Sequence, residues 1–246
     1  LISERDTGTI RELTRGGDLR TVGVVPGVVS GGESGLHGLA LRPDEAGGTW
    51  LYAYHGAADD NRVVRMPLSG QPGARGLGAV EPVFTGIPRN STHNGGRIAF
   101  GPDGYLYVTT GDAQIRDAPQ DPDALGGKIL RLTPVGDPAP GNPFGTAVWS
   151  LGHRNVQGIA WTADGEMWAS EFGQNTWDEL NHIVGGANYG WPMVEGEAGD
   201  DRFTDPVVAW ATSEASPSGI AAVGRWRGGE RRYRRFRGRH GNRPGR

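Results

Sequence analysis

Cysteine is absent from the 246 residues, so no disulfide staples the fold and the redox compartment cannot be read from one. No apolar run approaches the length needed to cross a bilayer. No signal peptide is legible at the start, which carries no weight because the repeat described below opens in mid-unit. Lysine is almost missing: Lys128 stands alone beside two dozen arginines, the usage of a GC-rich coding sequence. Aliphatic residues stop at Val223, and the run from Arg225 to Arg246 has no apolar face to bury. Two readings of that run stand: a binder of nucleic acid or acidic surfaces, or a segment out of the native frame, which the usage of arginine over lysine favours. The whole chain carries a net charge of −3. With ten arginines and one glutamate after residue 224 set aside, the body holds 15 basic against 27 acidic residues, a net −12. An acidic body argues against a nucleic-acid partner and suits calcium and small polar ligands.

What is present is a phrase that returns about every sixty residues: LALRPD from Leu39, IAFGPDG from Ile98, IAWTADG from Ile159 and IAAVG from Ile220. Each of the first three is followed by a second apolar run, LYAY from Leu51, LYVTT from Leu106 and MWAS from Met167. A third run follows in RVVRMPL from Arg62 and KILRLTP from Lys128, and the opening LISERDTG and TIRELT fit the second and third places. Short β-branched and aromatic runs separated by Pro-Asp-Gly or Gly-Asp turns read as consecutive antiparallel strands. A unit of three or four such strands at a fixed period is a β-propeller blade. The repeat predicts a partial propeller over 1–224 that opens in mid-blade, contains three full units and enters a fifth at Pro217–Ile220. Residues 225–246 are expected to lie outside it, disordered or frame-shifted.

Polar residues concentrate where one unit hands over to the next, as expected when loops on a rigid scaffold carry function. In STHNGGRIAF, His93 precedes a strand and is followed by Asn94, Gly95 and Gly96. Histidine is a residue type suited to general-base work, or here it simply ties the loop. One unit later SLGHRNVQGIAW offers Arg154, a planar fork of donors, and Asn155, a donor and acceptor; an arginine bridging two blades is the plain alternative. One unit earlier GGESGLHG supplies Glu33 and His37. Three polar loops one period apart are expected to converge on the central channel. The stretch SEFGQNTWDELNHIVGGANYGWP places Asp178 and Glu179 beside Gly173, Asn175 and Asn188, oxygen donors for calcium or an ordinary acidic turn. The acidic run over 112–127 reads as a mobile loop across the channel mouth.

The strings STHNGGRIAFGPDGYLYVTTGD, LGHRNVQGIAW and DELNHIVGGANYGWP, in that order, resemble the soluble glucose/sorbosone dehydrogenase family over residues 1–224. The resemblance implies a six-bladed β-propeller that uses pyrroloquinoline quinone and calcium to oxidise an aldose sugar at C1 to its lactone. It makes His93 the catalytic base and places Glu33 near cofactor and substrate. It sets Arg154 and Asn155 against the quinone, Arg154 favouring the reduced form. Gly173 and Gln174 would hold one calcium through backbone carbonyls, and Glu179 with the Tyr189 backbone a second, structural one. Thr92 stands where some members carry an aspartate that supports the histidine, and Gln174 replaces a common proline. A periplasmic or secreted quinoprotein is implied, with no nucleic-acid partner and no membrane span. Two further readings stay open: a catalytically silent propeller that binds a partner, and a calcium-dependent lactone hydrolase.

Overall fold

The computed structural model describes residues 1–223, so the expectation for residues 225–246 lies outside the described residues. Among the described residues four antiparallel sheets follow one another along the chain. The first holds β1 (Ile2–Ser3), β2 (Thr9–Leu13) and β3 (Leu19–Val24). The second holds β4 (Leu36–Pro43), β5 (Thr49–Gly56) and β6 (Asn61–Ser69), with β7 (Gly76–Leu77) and β8 (Glu81–Ile87) both pairing with β6. The third runs through β9 (Ile98–Phe100), β10 (Leu106–Thr109), β11 (Lys128–Leu132) and β12 (Val148–Leu151). The fourth runs through β13 (Val156–Trp161), β14 (Met167–Glu171), β15 (Trp177–Ile183) and β16 (Val208–Ala211). One short 3-10 turn at Ala118–Gln120 is the only helical element among the described residues. Among the described residues this is an all-β propeller fold with four blades.

The near-continuous apolar runs have a direct cause. Successive side chains in a strand point to opposite faces, and each inner blade is covered on both. Leu51 and Ala53 of β5 pack toward the first blade, whereas Tyr52 and Tyr54 pack toward the third. In β10, Leu106 and Val108 face the second blade and Tyr107 the fourth. The core is therefore three layers, one between each pair of neighbouring blades. The leading strands β4, β9 and β13 touch in succession and bring their entrances to one rim.

The fifth phrase does not form a strand: residues 217–223 pair with nothing as a ladder. Its second strand would come after Val223, so no described partner stands beside it. The backbone nevertheless repeats the step between blades. A Cβ placed on Gly158 would come within 2.9 Å of the Ile220 amide nitrogen, as one on Gly38 would of Ile98.

Candidate functional site

The three polar entrances meet. His93 lies between β8 and β9 with a left-handed backbone, φ 57°. Ala113 (φ 48°) and Gln114 (φ 62°) are the other non-glycine residues with positive φ among the described residues, and all three lie in this site. Such backbones persist only where neighbours over-determine them. Here the Glu33 carboxylate accepts the His93 N–H at 2.7 Å, and the His93 carbonyl accepts the Ala113 N–H at 3.2 Å. Gly96 lets the loop pass close to the preceding blade, because a Cβ there would sit 2.7 Å from His37 Nδ1.

The His93 ring is held on both sides. Nδ1 lies 2.7 Å from Asp112 Oδ1, and Arg154 Nη2 donates to Nε2 at 2.9 Å. Asp112 also accepts the Gln114 N–H at 2.8 Å and the Trp191 indole N–H at 2.8 Å. Burial alone would push this carboxyl up, but the hydrogen bonds from His93, Gln114 and Trp191 outweigh it and hold the group below its usual range. Each of its partners donates, so Asp112 is an ionised acceptor and Nδ1 carries the imidazole proton. The lone pair of Nε2 is then the basic one.

Asp112 was not among the sequence candidates, although it closes the TTGD string one residue after Gly111 at the end of the second strand of its blade. The expected mobile run over 112–127 is tied down from its first residue: Asp112 N–H donates to the Arg154 carbonyl at 2.8 Å. Lys128 Nζ, fully buried, donates to the Ala118 carbonyl at 2.5 Å and the Gly126 carbonyl at 2.8 Å. Burial pushes that ammonium down to about 7. Thr92 supports Gln114, whose amide donates to the threonine hydroxyl, and the histidine is supported by Asp112 instead.

His93, Asp112, Arg116, Arg154, Gln174 and Trp191 line a pocket of about 380 Å³, within the usual range for small-molecule sites. The Arg154 guanidinium lies over the Trp191 ring, 5.5 Å from its centroid, and its buried Nε has no hydrogen-bond partner among the described residues. Trp191 is a second residue missed from sequence, legible only as part of the NYGWP string. Asn155 does not line this pocket. Its Oδ1 accepts the Gly95 N–H at 3.0 Å and the Gln157 amide at 2.9 Å, so it locks the His93 loop to the next blade. Glu33 likewise serves the His93 backbone. His37 is a packed histidine, edge-on to Tyr54, and burial pushes it down to about 4.

Behind the pocket lies a buried polar chain. Ser150 Oγ meets His153 Nε2 at 2.9 Å, and His153 Nδ1 meets Glu171 Oε2 at 2.9 Å. Glu171 Oε1 accepts the Arg154 and Asn155 N–H groups and so fixes the backbone that carries the guanidinium. Glu179 is pushed up to about 7, first by burial and then by the neighbouring Glu171 carboxylate. Asn181 donates to Glu179 at 3.0 Å while its own Oδ1 stays buried without a partner among the described residues. Two close carboxylates and an unpaired amide oxygen are hard donors that a cation would satisfy. Glu179 and Tyr189 both border a small cavity of about 10 Å³. The Tyr189 hydroxyl is committed to the His182 carbonyl at 2.6 Å, which leaves only its backbone for any ligand. Asp178 and Asn188 do not join them: Asp178 accepts the Gly173 N–H at 2.9 Å, and Asn188 pairs with Gln120. Among the described residues no three His, Asp or Glu side chains are placed to hold a metal. Backbone oxygens would have to contribute.

A family model described as Glucose / Sorbosone dehydrogenase matches residues 1–236. The chain is 32% identical over 237 residues to quinoprotein glucose dehydrogenase B of Acinetobacter calcoaceticus, covering 82% of this chain and 49% of that protein. It is 35% identical over 204 residues to an Escherichia coli aldose sugar dehydrogenase, covering 73% of this chain and 54% of the other. The chain thus spans about half the length of the curated relatives it matches. A solved structure of aldose sugar dehydrogenase from Streptomyces coelicolor, described as its PQQ-bound form, superposes with a TM-score of 0.86 at 55% identity. That match covers 90% of this chain and 67% of the other.

Proposed function

The chain belongs to the glucose/sorbosone dehydrogenase family, and from that premise we propose an oxidoreductase that converts an aldose sugar to its lactone by oxidation at C1. Its cofactor in this reading is pyrroloquinoline quinone, held with calcium, in a propeller of six blades that works in the periplasm or outside the cell. The observation that carries the reading is His93, set between an ionised Asp112 and the Arg154 guanidinium at the edge of the pocket. No helix among the described residues is long and apolar enough to cross a membrane.

The residues present fit such a cofactor. It is a flat polyanion, and the pocket offers Arg116, Arg154 and the face of Trp191, with one Arg154 N–H unpaired. Gly173 and Gln174 would present carbonyl oxygens to one calcium; Glu179 and the Tyr189 backbone would hold the other. When bound, the quinone supplies a hydride-accepting carbon and calcium a Lewis acid beside it.

The chain's own part is the proton. Once the Arg154 N–H that it accepts here turns to an anionic oxygen of cofactor or substrate, Nε2 of His93 takes the proton of the sugar C1 hydroxyl as the C1 hydride leaves, and a general base of this kind contributes about 10²–10⁴-fold. Asp112 keeps the proton on Nδ1 before the reaction and stabilises the imidazolium after it. Arg154 sets positive charge where anionic oxygen develops. Glu171 holds the Arg154 backbone, and Asn155 holds the His93 loop to the same blade.

The test is reconstitution. With pyrroloquinoline quinone and calcium, the chain should reduce an artificial dye when given an aldose. His93→Ala should lose about 10²–10⁴-fold in rate while its quinone affinity changes little. A chain that binds the quinone yet oxidises no aldose, or a His93→Ala variant with parental turnover, would overturn the reading.

A further inference from the structure

The loop between β14 and β15 has an unusual backbone arrangement. Five consecutive N–H groups, from Gly173 to Trp177, donate to carboxylates. Asp178 Oδ1 takes the first at 2.9 Å. A single oxygen, Oε1 of Glu195, takes the next four: Gln174 at 2.6 Å, Asn175 and Thr176 at 3.1 Å, and Trp177 at 3.2 Å. Glu195 reaches in from the loop between β15 and β16. Gly173 has to be glycine here, because a Cβ would lie 2.7 Å from that oxygen and overlap the Trp177 carbonyl.

A trans peptide sets each carbonyl opposite to the N–H of the following residue. With the Gln174 and Asn175 N–H groups drawn to Glu195, the carbonyls of Gly173 and Gln174 are turned away from it. Neighbouring carbonyls are already used. Phe172 accepts from Arg154 at 3.2 Å, Asn175 from the Thr212 hydroxyl at 3.1 Å and Thr176 from the Thr212 N–H at 3.1 Å. Among the described residues only the Gly173 and Gln174 carbonyls of this stretch accept no hydrogen bond. Gln174 lines the pocket beside His93 and Arg154.

We infer that Glu195 is a positioning residue that pre-sets the Gly173 and Gln174 carbonyls for a hard divalent cation. This rests on the proposed role of those two carbonyls as calcium ligands. Glu195 does not touch the metal. It gathers the N–H side of the loop, so the carbonyl pair needs little reorganisation when the ion arrives.

Calorimetric titration of the chain with calcium chloride, without quinone, reads the site, and Glu179→Gln marks which binding event belongs to the other one. Glu195→Ala should weaken the remaining calcium by about 10–100-fold, the usual effect of removing a group that orients metal ligands. Two further variants separate position from charge. Glu195→Gln keeps an acceptor oxygen in place without the charge and should bind calcium nearly as the parent does. Glu195→Asp keeps the charge but withdraws it by one methylene and should bind weakly. It decides the matter if the alanine variant does not fold. Parental calcium affinity in Glu195→Ala or Glu195→Asp, or a glutamine variant as weak as the alanine one, overturns the inference while leaving the calcium site standing. A parent chain that binds no calcium at this site overturns the site and the inference together.

Discussion

Asp112→Asn is the most informative single change in this molecule. Three groups donate to the Asp112 carboxylate: His93 Nδ1–H, the Gln114 N–H and the Trp191 indole N–H. An asparagine replaces one acceptor oxygen with a donor, and neither orientation of the amide suits the site. If the NH₂ faces Trp191, two donors oppose each other. If it faces His93, it also meets the Gln114 N–H, and Nδ1 must become an acceptor. The proton then moves to Nε2, where it meets the Arg154 donor and removes the basic lone pair. A buried donor left facing a donor costs about 1–3 kcal/mol. In a chain of this size that lowers the melting point by a few degrees, at about 2–4 °C per kcal/mol. The catalytic effect should be larger, a loss of about 10²–10⁴-fold in kcat, the whole contribution of a general base. Dye reduction by the reconstituted chain measures the rate, and nitrogen NMR of His93 reads the tautomer. The carboxylate of Asp112 is held low, so its stabilisation is complete above the ordinary carboxylate value and is lost only as pH falls through the lower folded one. Parental kcat in Asp112→Asn, with the proton still on Nδ1, would refute the reasoning.

Two further outcomes are expected. His37 is neutral in the folded chain, pushed down to about 4, and its buried Nε2 has no partner among the described residues. Between about 4 and 6.5 the unfolded chain therefore binds a proton that the folded one does not, so stability rises with pH across that window by up to roughly 3 kcal/mol. His37→Gln should flatten this acid limb in urea melts at several pH values, and an unchanged slope would contradict the assignment. Deleting residues 225–246 should leave the melting point within about a degree, since a segment without aliphatic residues has little apolar surface to lose. A clear drop would mean that it packs on the body.

The sequence by itself determined the architecture and the rim. Blade period, strand order and the meeting of the Glu33, His93 and Arg154 loops were all legible. A repeat that buries alternate residues against two neighbours writes its spacing into the chain, and equivalent positions one period apart must come together. Tertiary structure alone decided which polar atoms face one another. Asp112, read as the start of a mobile acidic run, is the partner of His93. Asn155 Oδ1, read from spacing only as part of a polar loop, accepts the Gly95 N–H and ties the His93 loop to the next blade. Glu195, an unremarked acid in a distant loop, takes four N–H groups of the Gly173 turn. None of these follows from spacing, because each pairs segments from different loops at hydrogen-bond distance. That selection depends on a few ångströms of loop path, and only the packed blades supply it.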